Sequence, residues 1–536
     1  MKKKNWIYIL LSISLILFIS IVLFLGDYRK HKGSFSSLCI SKNEFDEIIS
    51  SRKQSNIPLL EELIFDGNTL FFDKQDNRFY YSLVENSDTA YNPTVEWNDT
   101  LYDLKIKQSE ITDELIHQNK QIDVVIYNDS IYSLASLTCT TLPLMSINVD
   151  VALEDIEDTY QDMRMVMFDN VNNTTTDLKG EIHARGSHVM YFPKKSFKIK
   201  LKDDRDKTVE PISLLDLPEG REYILYPGYN DQERIRNVFS TNLWYESCAK
   251  DNMYGLDNGQ HYKYYEMFLN GKYWGLYAIT YPIDENVLQL DLDKKSPNFL
   301  KENLYKKNNG AVNEYTIDWD SYPINGYDLK TNIDYNDAWL PLKNYYNSLF
   351  TAKTPEEIYE LVDINNSIDI FLFYNLIQGI DNVSIWGNED CMLHNTFLFS
   401  KVYKDGIKML YCPWDMDRTW GNGQDEEPYS IDISYNSIMY LNPVFYLIDI
   451  GDDNIKNLVG NRYEKLRQNE WSEEYLLNRL NNYEKDIFHS GSYLRDIEKW
   501  PTSAMNTKSE ELSVFKEYVA NRLTYMDKYI EKFIVD

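Results

Sequence analysis

The stretch YCPWDMDRTWGN, Tyr411 to Asn422, sets two aspartates, Asp415 and Asp417, between Trp414 and Trp420. A carboxylate among aromatics loses hydration and needs a cation or a hydrogen-bond donor in return. Alternation along a short strand points Asp415 and Asp417 to one face and Met416 to the other. Two carboxylates on one face repel each other unless positive charge sits beside them. A divalent metal supplies that charge, and so does an arginine or lysine from elsewhere in the chain. The structural alternative is a buried aspartate bonded to backbone amides or to an arginine.

Three other clusters bear on the choice. RGSHVMYFPKKSFKIKL (Arg185 to Leu201) alternates Phe197, Ile199 and Leu201 with Lys198 and Lys200, so that the lysines share one face of a strand. With Arg185, Ser187 and Lys195 nearby, that face could hold a polyphosphate, or it could be a solvated, aggregation-blocking strand edge. YNDQERIRNVF (Tyr229 to Phe239) offers Asp231, Arg234, Arg236 and Asn237 at a helix start, where ion pairing is common and anion binding is the alternative. QGIDNVSIWGNED, followed by MLHNTFLFS, places Asp381 and Asn382 after an apolar helix and Asn395 at the entry to a strand. Asp-Asn after a helix is also an ordinary cap and turn.

Cations on an early strand, an Asp after a helix, an Asn downstream and an Asp-x-Asp on a later strand repeat the order of parts in a protein kinase. Phosphoryl transfer needs metals to spread charge, cations on the phosphates, and one carboxylate to orient the attacking hydroxyl. The Gly-rich loop, VAIK, HRD and DFG signatures are absent, as is a Walker A loop.

The chain has 536 residues, which predicts more than one domain. Asp and Glu number 84 against 55 Lys and Arg, and six of those cations fall in the first 32 residues. So acidic a body lacks the basic footprint that nucleic acid requires, and it suits a basic partner or metal ions. Forty-three tyrosines contribute to an aromatic content of 14%, enough to fill large cores. Trp6 to Leu25 are 20 consecutive uncharged, mostly apolar residues, and predict an uncleaved transmembrane anchor behind a cytoplasmic tail, residues 1–5, with the bulk of the chain outside. Five scattered cysteines without C-x-x-C spacing form neither a disulfide scaffold nor a zinc site.

A linker and short helix are expected over 26–60, then a β-sandwich-like accessory region over 61–149, where apolar and polar residues alternate between turns. From 150 to 536 the pattern is β-rich first and helix-rich second. Asn270-Gly271 marks a type I′ hairpin, and from Trp339 onward helices dominate. The fold class expected is α+β, with a two-lobed, atypical kinase-like domain.

With these residues in hand, the chain resembles the CotH family of atypical kinases from bacterial spore coats. The resemblance runs from about Leu142 to the C-terminus, through RGS…FPKKSFKIKL, LNGKYWGLYAITYPID, NLYKK…YDLKTN, CPWDMDRTWG and RYEKLR…SGSYLRDIEKWP. It implies ATP and Mg²⁺ (or Mn²⁺) as cofactors and Ser/Thr phosphorylation of a basic, Ser-rich coat or envelope protein. By position it implies Asp381 as the catalytic aspartate and Asp415 as metal ligand, with Asp417 and Asn395 in support. Arg185, Ser187, Lys195, Lys198, Lys200, Arg236, Asn237 and Lys330 form the expected nucleotide- and phosphate-binding set, with either Lys198 or Lys200 as the strand lysine. Lys306 matches a further basic position without an assigned role. Two positions depart from the family pattern: RGSHVM lacks a second Ser or Thr after Ser187, and Tyr281 stands where an acidic residue is frequent. The acidic run Gln424 to Pro428 is the place expected to meet a basic substrate. A non-catalytic envelope protein on a retired kinase fold is the competing reading, and a phosphotransferase acting on a wall polymer is a third. Membrane anchorage at the cell envelope or spore coat is the expected location.

Overall fold

In a computed structural model of the protein, the described residues run from 31 to 533 apart from 153–155, 187, 203–208, 295, 297–299, 308–323, 325, 332–334, 385–391, 405, 423–430, 433–441, 502–508 and 510. The expected anchor, Ser187 and the acidic run 424–428 lie outside the described residues. Among the described residues no helix is long and apolar enough to cross a membrane. The architecture is α+β, as the sequence pattern predicts.

The short helix Lys42–Ser50 forms where expected, and a capping box between Ser41 and Glu44 starts it. The accessory region builds two sheets that share one core. His31–Ser34, Thr94–Trp97, Ile64–Phe65 and Asn68–Thr69 make a four-stranded sheet, and Ile122–Tyr127 and Ile131–Thr140 are central to a larger one. Phe65 and Val95 from the first meet Ile106, Val124 and Leu137 from the second. Asp66 and Gly67 both adopt positive φ (48° and 84°), which closes the tight turn between two of the strands.

Next comes a closed barrel of seven strands: β1 (Leu144–Val149), β2 (Gln161–Asp169), β3 (Thr174–Arg185), β4 (Ser196–Lys202), β5 (Glu222–Tyr226), β6 (Lys263–Leu269) and β7 (Lys272–Thr280). Strand β1 therefore pairs within the barrel and not with the accessory sheets. It closes the ring by running parallel to β6. The alternation in β4 does what its period demands: Phe197, Ile199 and Leu201 are buried inside while Lys198 and Lys200 face out. Met145, Met163, Met165 and Met267 fill the irregular interior. The β6–β7 hairpin turns at Asn270 and Gly271, both with positive φ (50° and 71°).

A four-stranded sheet follows, in the order β9 (Tyr327–Leu329), β8 (Asn303–Lys307), β10 (Thr396–Tyr403), β11 (Gly406–Pro413). The helical half comprises, among others, α1 (Arg236–Ser247), α2 (Ile364–Ile377), α3 (Asp453–Arg467), α4 (Ser492–Lys499) and α5 (Ser513–Ile530). Of these, α2 packs on β11 of this sheet, α3 and α5 pack on α2, and α4 packs on β7 of the barrel. Helix α2 is apolar on nearly every side and is buried from Asn366 to Ile377. Its one charged side chain, Asp369, meets Arg462 of α3 through Nε and Nη2 at 2.6 and 2.8 Å.

Helix α4 ties the barrel to the helical half through two adjacent residues. Arg495 reaches Glu266 of β6 with two bonds of 2.8 and 2.6 Å, and Tyr273 donates to the same carboxylate. Asp496 turns the other way. Its Oδ1 accepts from Lys194 Nζ at 2.6 Å and from the Leu276 amide at 3.0 Å, and its Oδ2 from Arg234 Nε at 3.0 Å. Lys194 spends its other donors on the carbonyls of Pro227 and Leu276. Burial pulls the Lys194 ammonium down to about 8, with Asp496 opposing the shift. Gly275, at φ 118°, leaves room for the Asp496 carboxylate, which a Cβ there would meet. Asp496→Ala strands two buried cations, so unfolding by urea should show about 3–5 kcal/mol lost. Asp496→Asn, which keeps an acceptor, should lose less, and equal stability of all three proteins would refute the role given to this carboxylate.

Candidate active site

Helix α2 ends at Gln378, whose left-handed conformation (φ 54°) turns the chain sharply. The turn delivers Asp381 and Asn382 to the neighbourhood of β10 and β11. Asn382 is buried and serves the backbone, donating to the Trp414 carbonyl at 2.8 Å and the Asn395 carbonyl at 3.3 Å. Asp381 is half-buried and does not cap the helix. Its Oδ2 accepts from Asn395 Nδ2 at 2.8 Å, and His394 Nδ1 lies 3.6 Å from Oδ1.

The opening stretch is not a strand through its aspartates. Strand β11 stops at Pro413, and Asp415 takes a left-handed conformation (φ 55°), so no strand alternation sets the two carboxylates. Met416 still faces away and is fully buried. The loop is held from behind by α1: Asn237 Oδ1 accepts the Met416 amide at 2.9 Å, and Ser240 Oγ accepts from Trp420 Nε1 at 3.0 Å. Asp417 Oδ2 accepts from Asn230 Nδ2 at 3.1 Å.

Trp414 organises the cations. The Arg185 guanidinium lies 5.5 Å and Lys306 Nζ 5.6 Å from its ring centroid, while Phe397 packs edge-on against it at 5.3 Å. Arg185 ends β3 and Lys306 belongs to β8, so the barrel and the four-stranded sheet each bring one cation to the same indole. Such cation–ring contacts are worth roughly 0.5–2 kcal/mol each.

Asp415 is exposed at one side yet closely surrounded by protein, and the loss of hydration in this recess pushes its carboxyl above the usual range. Lys306, Arg185 and His394 pull it back, while Asp381 adds to the rise. Asp417 is pushed well above the usual range by burial and then by the charges of Asp415 and Asp381. Asp381 differs. Burial raises it, but His394, Arg418 and the bond from Asn395 outweigh that and hold it below the usual range. Burial lowers Lys306, against the pull of Asp415. One recess therefore holds a firmly ionised carboxylate beside two whose nearby cations only partly offset lost hydration and mutual repulsion.

The other predicted residues fall into two groups. Lys330 bonds Asp328 at 3.0 Å, close enough for its charge to depress Lys306. Lys198 and Lys200 share the outer barrel face with Arg185, but both approach Glu222, at 2.6 and 3.9 Å. Lys195 donates to the Ile156 carbonyl. Arg236 is locked to Asp231 and Glu233 and stacks on Phe515, and Asn237 is the loop brace already described. Three contributors were missed or left without a role in the sequence: Lys306, His394 and Asn230. For Lys306 a signal exists, since NLYKK alternates like a strand and puts Leu304 and Lys306 on one face.

Among the described residues no three His, Cys, Asp or Glu side chains form a ready metal cage. The oxygen donors present, Asp415 with Asp417 or the Asn395 amide, still suit a hard divalent ion that takes the rest of its shell from water and phosphate. The uncompensated carboxylates are the observation that fits such an ion.

The model of one protein family, described as CotH kinase protein, matches residues 182–526, well over half of the chain. No curated protein matches the chain.

Because Asp417 is raised by folding, its ionised form weakens the fold, and stability should increase as pH falls from the raised value toward the ordinary aspartate range. Asp417→Asn should raise the thermal midpoint by a few degrees at neutral pH, and the gain should shrink on acidification. A lower midpoint for the variant across the whole range would contradict the charge assignment.

Proposed function

The chain belongs to the CotH kinase protein family, and on that premise we propose that it transfers the γ-phosphoryl group of ATP to Ser or Thr of a basic, Ser-rich envelope or spore-coat protein. The barrel and the helical half then serve as the two lobes of an atypical kinase, with the Trp414 recess between them. The observation that carries this reading is the meeting of Arg185 and Lys306 at Trp414, directly beside Asp415 and within electrostatic reach of Asp381.

Asp381 is the residue suited to orient the acceptor hydroxyl and take its proton. It stays ionised at neutral pH, and Asn395 and His394 fix its position. Arg185 and Lys306 are suited to the negative charge of the transferred group, held in place by an aromatic surface instead of by carboxylates that would compete for them. Asp415, with Asp417 or Asn395, would hold Mg²⁺ or Mn²⁺, and the ion would supply charge neutralisation on the phosphates. Asn237 and Asn230 keep the carboxylate loop in place. Residues 6–25 are proposed to anchor the protein, with the body outside the membrane.

The test uses the full chain, ATP labelled in its γ-phosphate, Mg²⁺ or Mn²⁺ and a Ser/Lys-rich peptide. Asp381→Ala and Asp415→Ala should each lower label transfer by at least about a hundredfold, and Lys306→Ala by about tenfold or more. Lys198→Ala should change it by no more than about threefold, because its charge is already paired with Glu222 at 2.6 Å. Undiminished transfer by Asp381→Ala or Asp415→Ala would end the proposal, as would absence of transfer and of nucleotide binding with either metal.

A further inference from the structure

A cavity of about 900 Å³ lies away from the Trp414 recess, where the accessory sheets, the ends of the barrel strands and the C-terminal helices meet. Leu83, Ala90, Ile116 and Leu142 contribute apolar surface to it. Six carboxylates line it as well: Glu85, Asp113, Glu114, Asp169, Asp216 and Asp486. They come from five separate parts of the chain, so no single turn or helix end accounts for the grouping.

None of the six is ion-paired with Lys or Arg among the described residues, and all but the half-buried Asp169 are exposed, so their charge faces the opening. Among the described residues Asp113 accepts from Tyr91 and Glu114 from Gln118, and Asp169 accepts from its own turn and Asn172. Two lysines, Lys263 and Lys485, also line the space, which leaves a strong negative balance. His489 adds little positive charge, since burial and the neighbouring His117 ring, 4.8 Å away between centroids, hold it below its usual range. Asp486 is raised to about 6 by burial, so it too is mostly ionised at neutral pH. A second feature also calls for a ligand. Asn170, 3% exposed, lines the cavity, donates to the carbonyls of Leu83 and Thr141, and keeps a side-chain oxygen with no donor among the described residues.

An apolar floor under an acidic rim matches a side chain with an aliphatic stem and a cationic head. The volume falls at the upper end of ordinary ligand sites, roughly 300–1,000 Å³, and accommodates several residues. We propose that this cavity docks a Lys- or Arg-bearing polypeptide segment of a partner protein. The charge complementarity of the rim selects a basic segment, and the apolar floor favours lysine and arginine stems over bare inorganic cations. Docking here needs no phosphoryl transfer and stands apart from the reading of the Trp414 recess. If the partner is also the phosphate acceptor, the site holds it at a distance from the reacting hydroxyl and raises its effective concentration there.

The test measures binding of a fluorescent Lys/Ser peptide to the full chain by anisotropy at physiological ionic strength, where charges beyond about 8 Å are largely screened. The variant Asp113→Asn/Glu114→Gln/Asp216→Asn removes three exposed rim charges and no buried contact. A control, Glu47→Gln/Glu473→Gln/Glu474→Gln, removes three exposed charges elsewhere. Affinity should fall about tenfold in the rim variant and less than about twofold in the control. Binding should be the same with and without nucleotide and divalent metal, so a failure of the kinase reading leaves this result intact. Equal losses in rim and control variants would show attraction to net charge alone. No binding by the native chain, or binding that requires nucleotide and metal, would likewise overturn the proposal.

Discussion

The carboxylate of Asp496 is the constraint on which the rest of the molecule leans. Fully buried, it is met by a lysine from the β3–β4 connection, an arginine from the segment before α1 and an amide of β7. A buried ion pair is weak evidence for net stability, because desolvation offsets most of its attraction. What this one provides is register. Apolar contacts tolerate sliding, whereas three donors around one carboxylate fix three segments to within a hydrogen bond's tolerance. The segment fixed by Lys194 and Arg234, residues 227–236, is also the one that presents Asn230 to Asp417 and starts the helix that braces Met416. The junction between barrel and helices and the geometry of the recess are therefore one problem with one solution.

Within the recess, two opposite electrostatic environments lie side by side. Asp381 is held below the usual carboxylate range despite burial by its donors and cations, while loss of hydration and the neighbouring carboxylates push Asp415 and Asp417 above it. Environments that drive neighbouring carboxyls apart in this way are how acid, base and metal-holding roles are usually divided. The cations are kept available by an unusual choice of partner. Had Arg185 and Lys306 been paired with carboxylates, as Lys198 is with Glu222, their charge would already be spent. Holding them against an indole leaves most of their field directed at the recess.

Much of the fold was readable from local signals. The Asn270-Gly271 turn, the alternation around Ile199 and the apolar run of α2 each state their conformation within a few residues. What the sequence hid was non-local. Nothing near Leu144 announces that β1 closes a barrel by running parallel to β6, and nothing near Lys198 announces that β4 is flanked by β3 and β5, which makes it an interior strand instead of an edge. The same limit affected the site. Asp381, Asn395 and Asp415 stood out by residue type and order, and they do come together. Lys198, Lys200 and Lys306 are indistinguishable by pattern, since each is a lysine alternating with apolar residues in a strand. Only the packing of β8 beside β10 brings Lys306 to Trp414. Arg495 and Asp496 show the effect most clearly, because adjacent residues of one helix serve different partners on different strands.

Backbone conformation gives an independent view of the same region. Arg234, Gln378, Asn395, Asp415 and Trp420 all hold positive φ without being glycine. Each such residue costs about 1 kcal/mol or more relative to an extended or helical conformation, and no local sequence preference explains Trp or Gln in that state. They persist because the surroundings over-determine them. The Trp420 amide donates to the Ile377 carbonyl, the Trp414 amide to the Asn395 carbonyl, and the Met416 amide to Asn237. The backbone on either side of Asp415 is thus bonded to three different elements, which leaves its side chain little choice of direction. A fold that only needed to bury Trp414 and Trp420 could have done so on a regular strand. Concentrating left-handed residues around one carboxylate makes sense where the position of that carboxylate matters more than the stability it forgoes.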